Sequence, residues 1–390
     1  MARLEDRLRT VERFCARTDL RSDDPYDIWK TSLGFRVKDL YNRRRGLGLL
    51  PAAALTLFDT YLNNRLRWGY QAQEYPVVRA WAALALMNLQ AANAGSGFLP
   101  VIRAHLDWLR GHSSAGRVGL GWGIGFRQPI SAGLHYEASL PLATMTPYAL
   151  EAFVRFHALT GDESYRDVIL GIHLFFDRDL QVMEETPEYL VTSYSTLQDR
   201  RVVNAVSYVM YSLSLLLPWL DEAERAAATR KIGKLYRYLV VSQRADGSWL
   251  YSPDGPPFID CFHSCIVLKN LIRADRLVAL PDAGAVIGRG YDYLLRSFRD
   301  PATGLFRRFS LENKPSLVRF DLYDNAEVVN LALLMGDRSL AAGLADAVEQ
   351  AFVRGADIWS QVDRFGLRHN RNTLRWAVMP WLYALSVLET

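Results

Sequence analysis

The chain has 390 residues, of which 50% are apolar and 23% are charged, with a formal net charge of +4. This balance is typical of a globular protein with a large core, and it excludes a disordered or fibrous chain. Only six of the 46 basic residues are lysine, and because no long basic run exists, the composition argues against nucleic acid as a partner.

Helical periodicity dominates the chain from one end to the other. Between the most apolar segments lie amphipathic ones, such as 162–173 and 221–234, whose first turns are acidic and whose later turns are basic, as the helix dipole favours. The most apolar segments predict buried helices that begin near Ile28, Val77, Thr144, Val202, Asp260, Asp324 and Leu374. The later ones recur about every 60 residues, a length that fits two helices and a loop.

This alternation predicts stacked helical hairpins that bury an apolar inner layer. An open solenoid would need polar outer caps, whereas the last segment, 374–388, is as apolar as any interior one. We therefore expect an all-α protein with one domain over residues 1–390, an (α/α) toroid of six or seven hairpins with short β-hairpin loops on one rim. One such loop should include a short extended segment at 248–251.

A turn rich in glycine, aromatic residues and arginine precedes several of the buried helices. Four copies lie at 117–126, 245–251, 302–306 and 363–367. Because the inner helices of a toroid all point the same way, these turns should gather on one rim. The positive ends of the helices meet there and favour an anionic ligand.

The sequence lacks the motifs of several kinds of binding site and the segments that direct a chain to or across a membrane. Cys15, Cys261 and Cys265 do not suggest a disulfide framework, and the cluster around Asp260 and His263 lacks the ligand spacing of zinc sites. Phosphate-binding and dinucleotide-binding loops and the nucleophile elbow are also missing. With no signal-peptide core and no long uncharged apolar stretch, we expect a cytoplasmic protein that has no transmembrane segment and uses no metal or cofactor.

The strongest single candidate for chemistry is Asp260 together with His263. The two residues are three apart, so on a helix they lie on the same face. Such a pair at the floor of a crater can act as general acid and base. The same pattern also fits a helix cap followed by a core histidine, so both roles stay open.

Polar side chains recur in the turns before the other buried helices. The residues that we predict to be catalytic are Asp260, His263, Tyr194, Tyr251, Tyr136, Glu137 and Asp324. Those that we predict to bind substrate are Arg127, Arg201, Trp122, Trp249, His135, Asp321 and Arg375. An arginine side chain can form two parallel hydrogen bonds to one carboxylate, and a tryptophan ring can stack on a sugar ring. Each residue taken alone fits capping or packing equally well.

The turn at 246–251 and the segment that follows it carry a resemblance. Asp246-Gly-Ser-Trp-Leu-Tyr251 followed by Phe258-Ile-Asp-Cys-Phe-His-Ser264 resembles an element of the VpsJ-like polysaccharide biosynthesis proteins. The segments 24–27 and 49–58 are similar to the opening of the same family. The resemblance implies an (α/α) toroid linked to exopolysaccharide production, but it does not supply a reaction.

Three classes of function remain open at this point. The first is an enzyme on an acidic, uronate-containing saccharide, which acts by proton abstraction, as an epimerase or lyase, or by hydrolysis. The second is a saccharide-binding or scaffold protein without catalysis, with other polysaccharide biosynthesis proteins as its expected partners. The third is a toroid that acts on isoprenoids, since Asp-Gly-Ser-Trp also occurs in terpene-cyclase and prenyltransferase toroids.

Overall fold

A computed structural model describes residues 2–390, apart from the side chains of residues 2 and 3. Across these residues the helices are α1 (Ala2–Cys15), α2 (Asp27–Lys30), α3 (Ser32–Arg43), α4 (Arg45–Leu57), α5 (Asn64–Leu66), α6 (Pro76–Ala92), α7 (Leu99–Gly111), α8 (Thr146–Thr160), α9 (Arg166–Leu174), α10 (Val203–Leu216), α11 (Glu222–Ser242), α12 (Cys261–Val278), α13 (Ala283–Phe298), α14 (Leu322–Leu334), α15 (Arg338–Phe352) and α16 (Met379–Leu388). π-Helical turns follow α4 and α9 and precede α16, at Phe58–Asn63, Phe175–Asp179 and Leu374–Val378.

Six of these helices form a closed inner ring. Each inner helix contacts the next: α6 contacts α8, α8 contacts α10, α10 contacts α12, α12 contacts α14, and α14 contacts α16. The ring closes where α16 contacts α6. The helices α1, α7, α9, α11, α13 and α15 pack outside them, so the fold is an (α/α)6 toroid, as the sequence predicts. No helix among the described residues is both long and apolar enough to span a membrane.

The inner helices begin close to where their sequences predict, with one exception. The apolar segment near Ile28 was predicted to be a seventh inner helix, and this prediction is wrong. It forms only the short helix α2, which ends where Thr31 caps α3 by accepting a hydrogen bond from the backbone N–H of Gly34 at 3.0 Å. The pair α3–α4 therefore lies outside the ring, in the long connection between α1 and α6.

The two rims of the toroid differ in their loops. Each outer helix runs into the next inner helix through a long connection, whereas the returns are short, as at 161–165 and 335–337. The long connections carry the strands β1 (Ser114–Ala115), β2 (Leu120–Gly121), β3 (Gln128–Ser131), β4 (Leu134–Tyr136), β5 (Val182–Glu185), β6 (Leu190–Thr192), β7 (Ile259–Asp260), β8 (Phe309–Leu311), β9 (Val318–Asp321), β10 (Val353–Arg354), β11 (Asp357–Asp363) and β12 (Arg368–Arg371). All the strand pairs are antiparallel, and β11 pairs with β9, β10 and β12. The segment 248–251 lies in the loop before β7 and forms no strand.

Charged side chains inside the ring are paired. Lys269 on α12 forms an ion pair with Glu327 on α14, and both are almost fully buried. Arg273 on α12 reaches across the ring to Glu151 on α8, with 3.0 Å between Nη1 and Oε2. Buried charges are tolerated only when they are paired in this way, so these contacts fix which inner helices face one another.

The first and last helices are joined by one arginine. Arg7 on α1 donates from Nε to Glu349 on α15 at 2.6 Å and from Nη1 to Glu389 after α16 at 2.6 Å. A third bond runs from Nη2 to Asp346 at 2.8 Å. The Arg7 side chain is only 9% exposed, so its guanidinium has little contact with water. Its ion pairs join the first and last helices of the chain.

The glycines of the turn at 117–126 are needed for close packing, and substitution there provides a test of the fold. A Cβ on Gly119 would lie 2.1 Å from the backbone nitrogen of Phe175. We expect Gly119→Ala to lower the free energy of unfolding by about 2–3 kcal/mol, because the backbone contact cannot relax. Gly111→Ala is the matched control, since nothing lies within 4 Å of its Cβ. Equal stability of the two variants in urea denaturation would contradict this packing.

Candidate functional site

The N-termini of the inner helices and the long connections lie on one rim of the toroid, and we call the region between them the crater. Three of these helices begin with proline in their first turn, at Pro76, Pro147 and Pro380, and two begin behind an aspartate cap, at Asp260 and Asp321. Both kinds of residue favour a helix start. The side chains just before each start are thereby placed at the edge of the crater.

Asp260 and His263 form a hydrogen-bonded pair on this rim. Asp260 Oδ1 accepts the backbone N–H of His263 at 3.1 Å, and Oδ2 lies 2.7 Å from Nδ1 of the imidazole. The aspartate is therefore both the helix cap and the partner of the histidine. With Nδ1 engaged, no group among the described residues hydrogen bonds to Nε2, and the histidine is 20% exposed. That nitrogen is free to accept or donate a proton.

Arg200 lies over three tyrosines next to this pair. Its guanidinium carbon is 4.3 Å from the ring centre of Tyr194, 5.7 Å from that of Tyr136 and 5.9 Å from that of Tyr251. The Tyr251 ring centre is in turn 4.5 Å from that of His263. The three predicted tyrosines, the arginine and the histidine are thus gathered in one place.

Two tyrosines of this cluster, Tyr136 and Tyr251, resist ionisation. Burial raises the pKa of both Tyr136 and Tyr251 above the ordinary value. Tyr136 donates its hydroxyl to Asp199, whereas the hydroxyl oxygen of Tyr194 accepts from Thr144 Oγ1 at 2.9 Å. Tyr194 therefore keeps its own proton for another acceptor.

The remaining carboxylates of the rim are already engaged. Asp321 Oδ2 accepts from Arg308 at 2.9 Å, from Trp376 Nε1 at 3.0 Å and from Gln361 at 3.1 Å. Asp324 is buried, and its Oδ1 accepts the backbone N–H of Phe262 at 2.9 Å. Burial, with the nearby charge of Asp321, raises the pKa of Asp324 well above its usual range. Both carboxylates hold the rim together.

An aromatic cluster that the sequence did not predict lies beside Asp321. The rings of Trp376 and Tyr323 stack with 4.7 Å between their centres and 15° between their planes. Phe262 and Tyr26 meet Trp376 edge-on at 5.4 Å and 5.8 Å. The only sequence signal was the position of Trp376 directly before the last inner helix.

The two predicted stacking tryptophans are both buried, although Trp249 also lines the small cavity beside His263. Trp122 is fully buried and donates its indole N–H to the carbonyl of Leu109 on α7 at 3.0 Å. Trp249 is 4% exposed and donates in the same way to Leu239 on α11 at 2.8 Å. The prediction that they bind sugar is therefore wrong, because each ring fills the space between the loop and an outer helix.

The predicted arginines are also placed differently from expectation. Arg127 and Glu137 form an exposed pair at 3.0 Å, so neither faces the crater floor. Arg201 is held by Glu184 and by Asp254, the latter at 2.7 Å. Both carboxylates draw the guanidinium away from Arg200, and the predicted roles in catalysis for Glu137 and in substrate binding for Arg127 and Arg201 are not supported.

Two further predicted substrate ligands bind other parts of the protein. Arg375 is buried and holds Asp24 with both arms of its fork, at 2.5 Å and 2.8 Å. His135 Nε2 lies 3.0 Å from Asp39 Oδ1 on α3. Both contacts attach the segment 24–43 to the rim. They are therefore structural, and the motif at 24–27 acts as an anchor.

Lys38 on α3 is a cation that the sequence did not single out. Burial lowers its pKa to about 8, and the charges of Lys314 and Arg200 add to this effect. Arg308 in turn lowers the pKa of Lys314, after burial. Cations from three separate connections are therefore close enough to affect one another. No group of three His, Cys, Asp or Glu able to hold a metal ion occurs in residues 2–390.

The space next to His263 is small in this conformation. A cavity of about 10 Å³ is lined by Asn204, Tyr251, Asp260, His263 and Ser264, among others. That is room for about one water molecule. The segment 24–43 contacts this rim through Asp24, which is bound by Arg375, and through Asp39, which is bound by His135.

Comparison with known proteins places the fold. No protein-family model and no curated protein matches the chain. A sugar epimerase from a ruminal bacterium is similar in structure, with a TM-score of 0.62 and 11% identity over 82% of this chain and 89% of the epimerase.

Two other solved structures share the fold. The GH76 α-mannanase of Bacteroides thetaiotaomicron has a TM-score of 0.58 and 10% identity, over 94% of this chain and 98% of the mannanase. The ent-copalyl diphosphate synthase of Streptomyces platensis has a TM-score of 0.50 and 16% identity, over 87% of this chain but 55% of the synthase. At these identities the comparisons establish an (α/α) toroid and leave the chemistry to be argued from the crater itself.

Proposed function

We propose that the crater catalyses proton transfer on an anionic, uronate-type saccharide, as an epimerase does. The observation that carries the proposal is the free Nε2 of His263 beside the cluster of Arg200 and three tyrosines. The sugar epimerase among the similar structures supports a carbohydrate ligand by analogy of fold. Together with the resemblance at 246–264, this supports a role in exopolysaccharide metabolism.

The reaction uses each group in turn. His263 Nε2 removes the proton from the carbon next to the carboxylate, and the electron pair of that C–H bond moves onto the carboxylate oxygens. Asp260 stabilises the imidazolium that forms, because it is bonded to Nδ1 at 2.7 Å. Arg200 stabilises the enolate-type charge. Return of a proton to the opposite face from Tyr194 gives the epimer. His263 then loses its extra proton to solvent and Tyr194 regains one from solvent, which resets both groups.

Hydrolysis is less well supported by the same geometry. It requires two carboxyl groups free to face the scissile bond from opposite sides. Asp260 is engaged by His263, Asp321 by three donors, and Asp324 is buried. An isoprenoid substrate is less well supported, since the groups gathered around His263 are Arg200 and three tyrosine hydroxyls, which suit a polar ligand.

Solvent exchange tests the proposal directly. The protein is incubated with uronate-containing oligosaccharides in D₂O, with neutral oligosaccharides as the control substrates. We expect deuterium at the carbon next to the carboxylate, detected by mass spectrometry and NMR. An unsaturated product would identify a lyase that shares the first step. New reducing ends without deuterium uptake, or no change with any saccharide, would overturn the proposal.

The dependence on pH follows from Lys38. Its pKa is lowered to about 8, so the ammonium is charged below that pH and neutral above it. We expect the KM for an anionic saccharide to be flat below about pH 7 and to rise about fivefold as the pH passes 8, because one attractive charge is lost. Initial rates over a range of pH measure this change.

Lys38→Arg is the control for this titration. Arginine keeps its charge to much higher pH, so the rise in KM near pH 8 should disappear while binding at pH 7 is kept. A rise that persists unchanged in Lys38→Arg would show that another group titrates.

A further inference from the structure

Residues 43–68 present apolar side chains to the outside of the molecule. The helix α4 and the turns that follow it expose Leu47 by 63%, Leu50 by 78%, Leu66 by 71% and Trp68 by 56%. We call these residues, with Leu49, Leu57 and Leu62, the apolar face. No charged residue occurs between Arg45 and Asp59. A contiguous exposed surface of this kind marks an interaction site.

Positive charge flanks the apolar face at both ends. The exposed run Arg43-Arg44-Arg45 precedes it, with Arg43 paired to Asp39 at 2.8 Å, and Arg65 and Arg67 lie at its far end, with Arg67 Nε 4.0 Å from Asp23. The one acidic residue in this stretch, Asp59, is buried and accepts from Asn63 Nδ2 at 2.8 Å. The outer surface is therefore apolar in the middle and cationic at the edges.

A cavity of about 650 Å³ opens beside this surface, between residues 60–67 and 354–371. Its lining includes five arginines, Arg65, Arg67, Arg354, Arg368 and Arg371. Asp357, its one carboxylate, is already engaged by Arg371 at 3.3 Å and by Asn372 at 2.8 Å. Arg67 Nη1 is buried without a hydrogen-bond partner among the described residues. Burial and the charge of Arg354 lower the pKa of Arg368. This excess of positive charge calls for an anionic ligand.

We propose that the apolar face docks on an anionic lipid bilayer, with the phosphate of a lipid head group held in the arginine-lined cavity. The charges of the surface and of such a bilayer are complementary. The 13 residues of α4 span about 20 Å, which is shorter than a bilayer core, so the helix lies along the surface. A second copy of the chain fits less well, because pairing of two such faces would bring arginines against arginines.

Vesicle flotation tests this proposal without any measurement of catalysis, so its outcome is independent of the proposed reaction. One set of vesicles is pure phosphatidylcholine, and the other contains equal parts of phosphatidylcholine and phosphatidylglycerol. We expect binding to the mixed vesicles only, and weaker binding as salt is added. Arg65→Gln with Arg354→Gln should weaken it about fivefold for each charge removed. Binding that is equal to both kinds of vesicle would overturn the charge argument.

The apolar part is tested by Leu47→Glu with Leu50→Glu. Both side chains are exposed, so the fold should persist, and we expect binding to the mixed vesicles to fall more than tenfold. Leu277→Glu is the matched control, since Leu277 is 49% exposed at the end of α12 on the opposite rim. Unchanged binding by the double variant would overturn the proposal. Binding of inorganic phosphate without binding to vesicles, or dimerisation through this face, would also overturn it.

Discussion

Replacement of His263 by glutamine should reduce kcat for proton exchange by about 10³-fold, with little change in KM. General base catalysis contributes about 10²–10⁴-fold, and His263 is the imidazole that Asp260 holds by Nδ1 next to Tyr251. The backbone N–H of residue 263 still donates to Asp260, so the start of α12 is kept. Deuterium uptake from D₂O measures the rate, and thermal unfolding checks the fold. Loss of activity together with loss of stability would not support a catalytic role.

Asp260→Asn separates the two roles of the aspartate. Asparagine is as good a helix cap as aspartate, so the free energy of unfolding should change little. Without a carboxylate the imidazolium is no longer stabilised, and we expect kcat to fall by about 10²-fold or more. If Asp260→Asn leaves kcat unchanged, Asp260 acts only as the cap of α12.

Substitution of Arg200 should have the second-largest effect. Arg200→Met keeps the length of the side chain and removes its charge, and we expect kcat/KM to fall about 10²–10³-fold because the enolate-type charge loses its partner. Arg200→Lys should recover only part of the loss, since an ammonium cannot lie flat over Tyr194 and form a fork at once. The ratio of kcat/KM values in the exchange assay measures both effects.

The neighbouring arginine provides the matched control. Arg201 is bound to Glu184 and Asp254 and faces away from the tyrosines. Arg201→Met should change kcat/KM less than about threefold, the range of ordinary surface changes. Equal losses in Arg200→Met and Arg201→Met would contradict the assignment of the crater cation.

The fold could be predicted because inner helices of a toroid are buried on nearly all sides. Such burial leaves a helix apolar all round, as in α6 and α10, and the interval between these helices indicates hairpins. The segment near Ile28 is apolar for a different reason. Its apolar side chains pack the connection 16–75 against the rim, and composition does not distinguish that role from an inner helix.

The sequence predicted that candidate site residues lie on one rim. It did not predict which of their side chains contact one another. Arg200 and Arg201 are neighbours in the chain but have different partners: Arg200 lies over Tyr194, whereas Arg201 is bound by Glu184 and Asp254, and the sequence does not distinguish them. Asp199 holds this segment by accepting the backbone N–H groups of Tyr194 at 3.0 Å and of Arg200 at 2.7 Å. Lys38 was missed for a different reason, since it comes from a helix outside the repeated unit.

The closure of the ring by Arg7 affects how the chain folds. Its bond to Glu389 joins residues 382 positions apart, so almost the whole chain must be in place before the contact forms. Contacts of such sequence separation slow folding, and the edges of the first and last hairpins stay open until then. Once the ring has closed, the first and last hairpins each have a neighbour on both sides, so neither is a terminal repeat that can fray. Native-state hydrogen exchange should therefore find similar protection in all six inner helices, with no gradient towards either end.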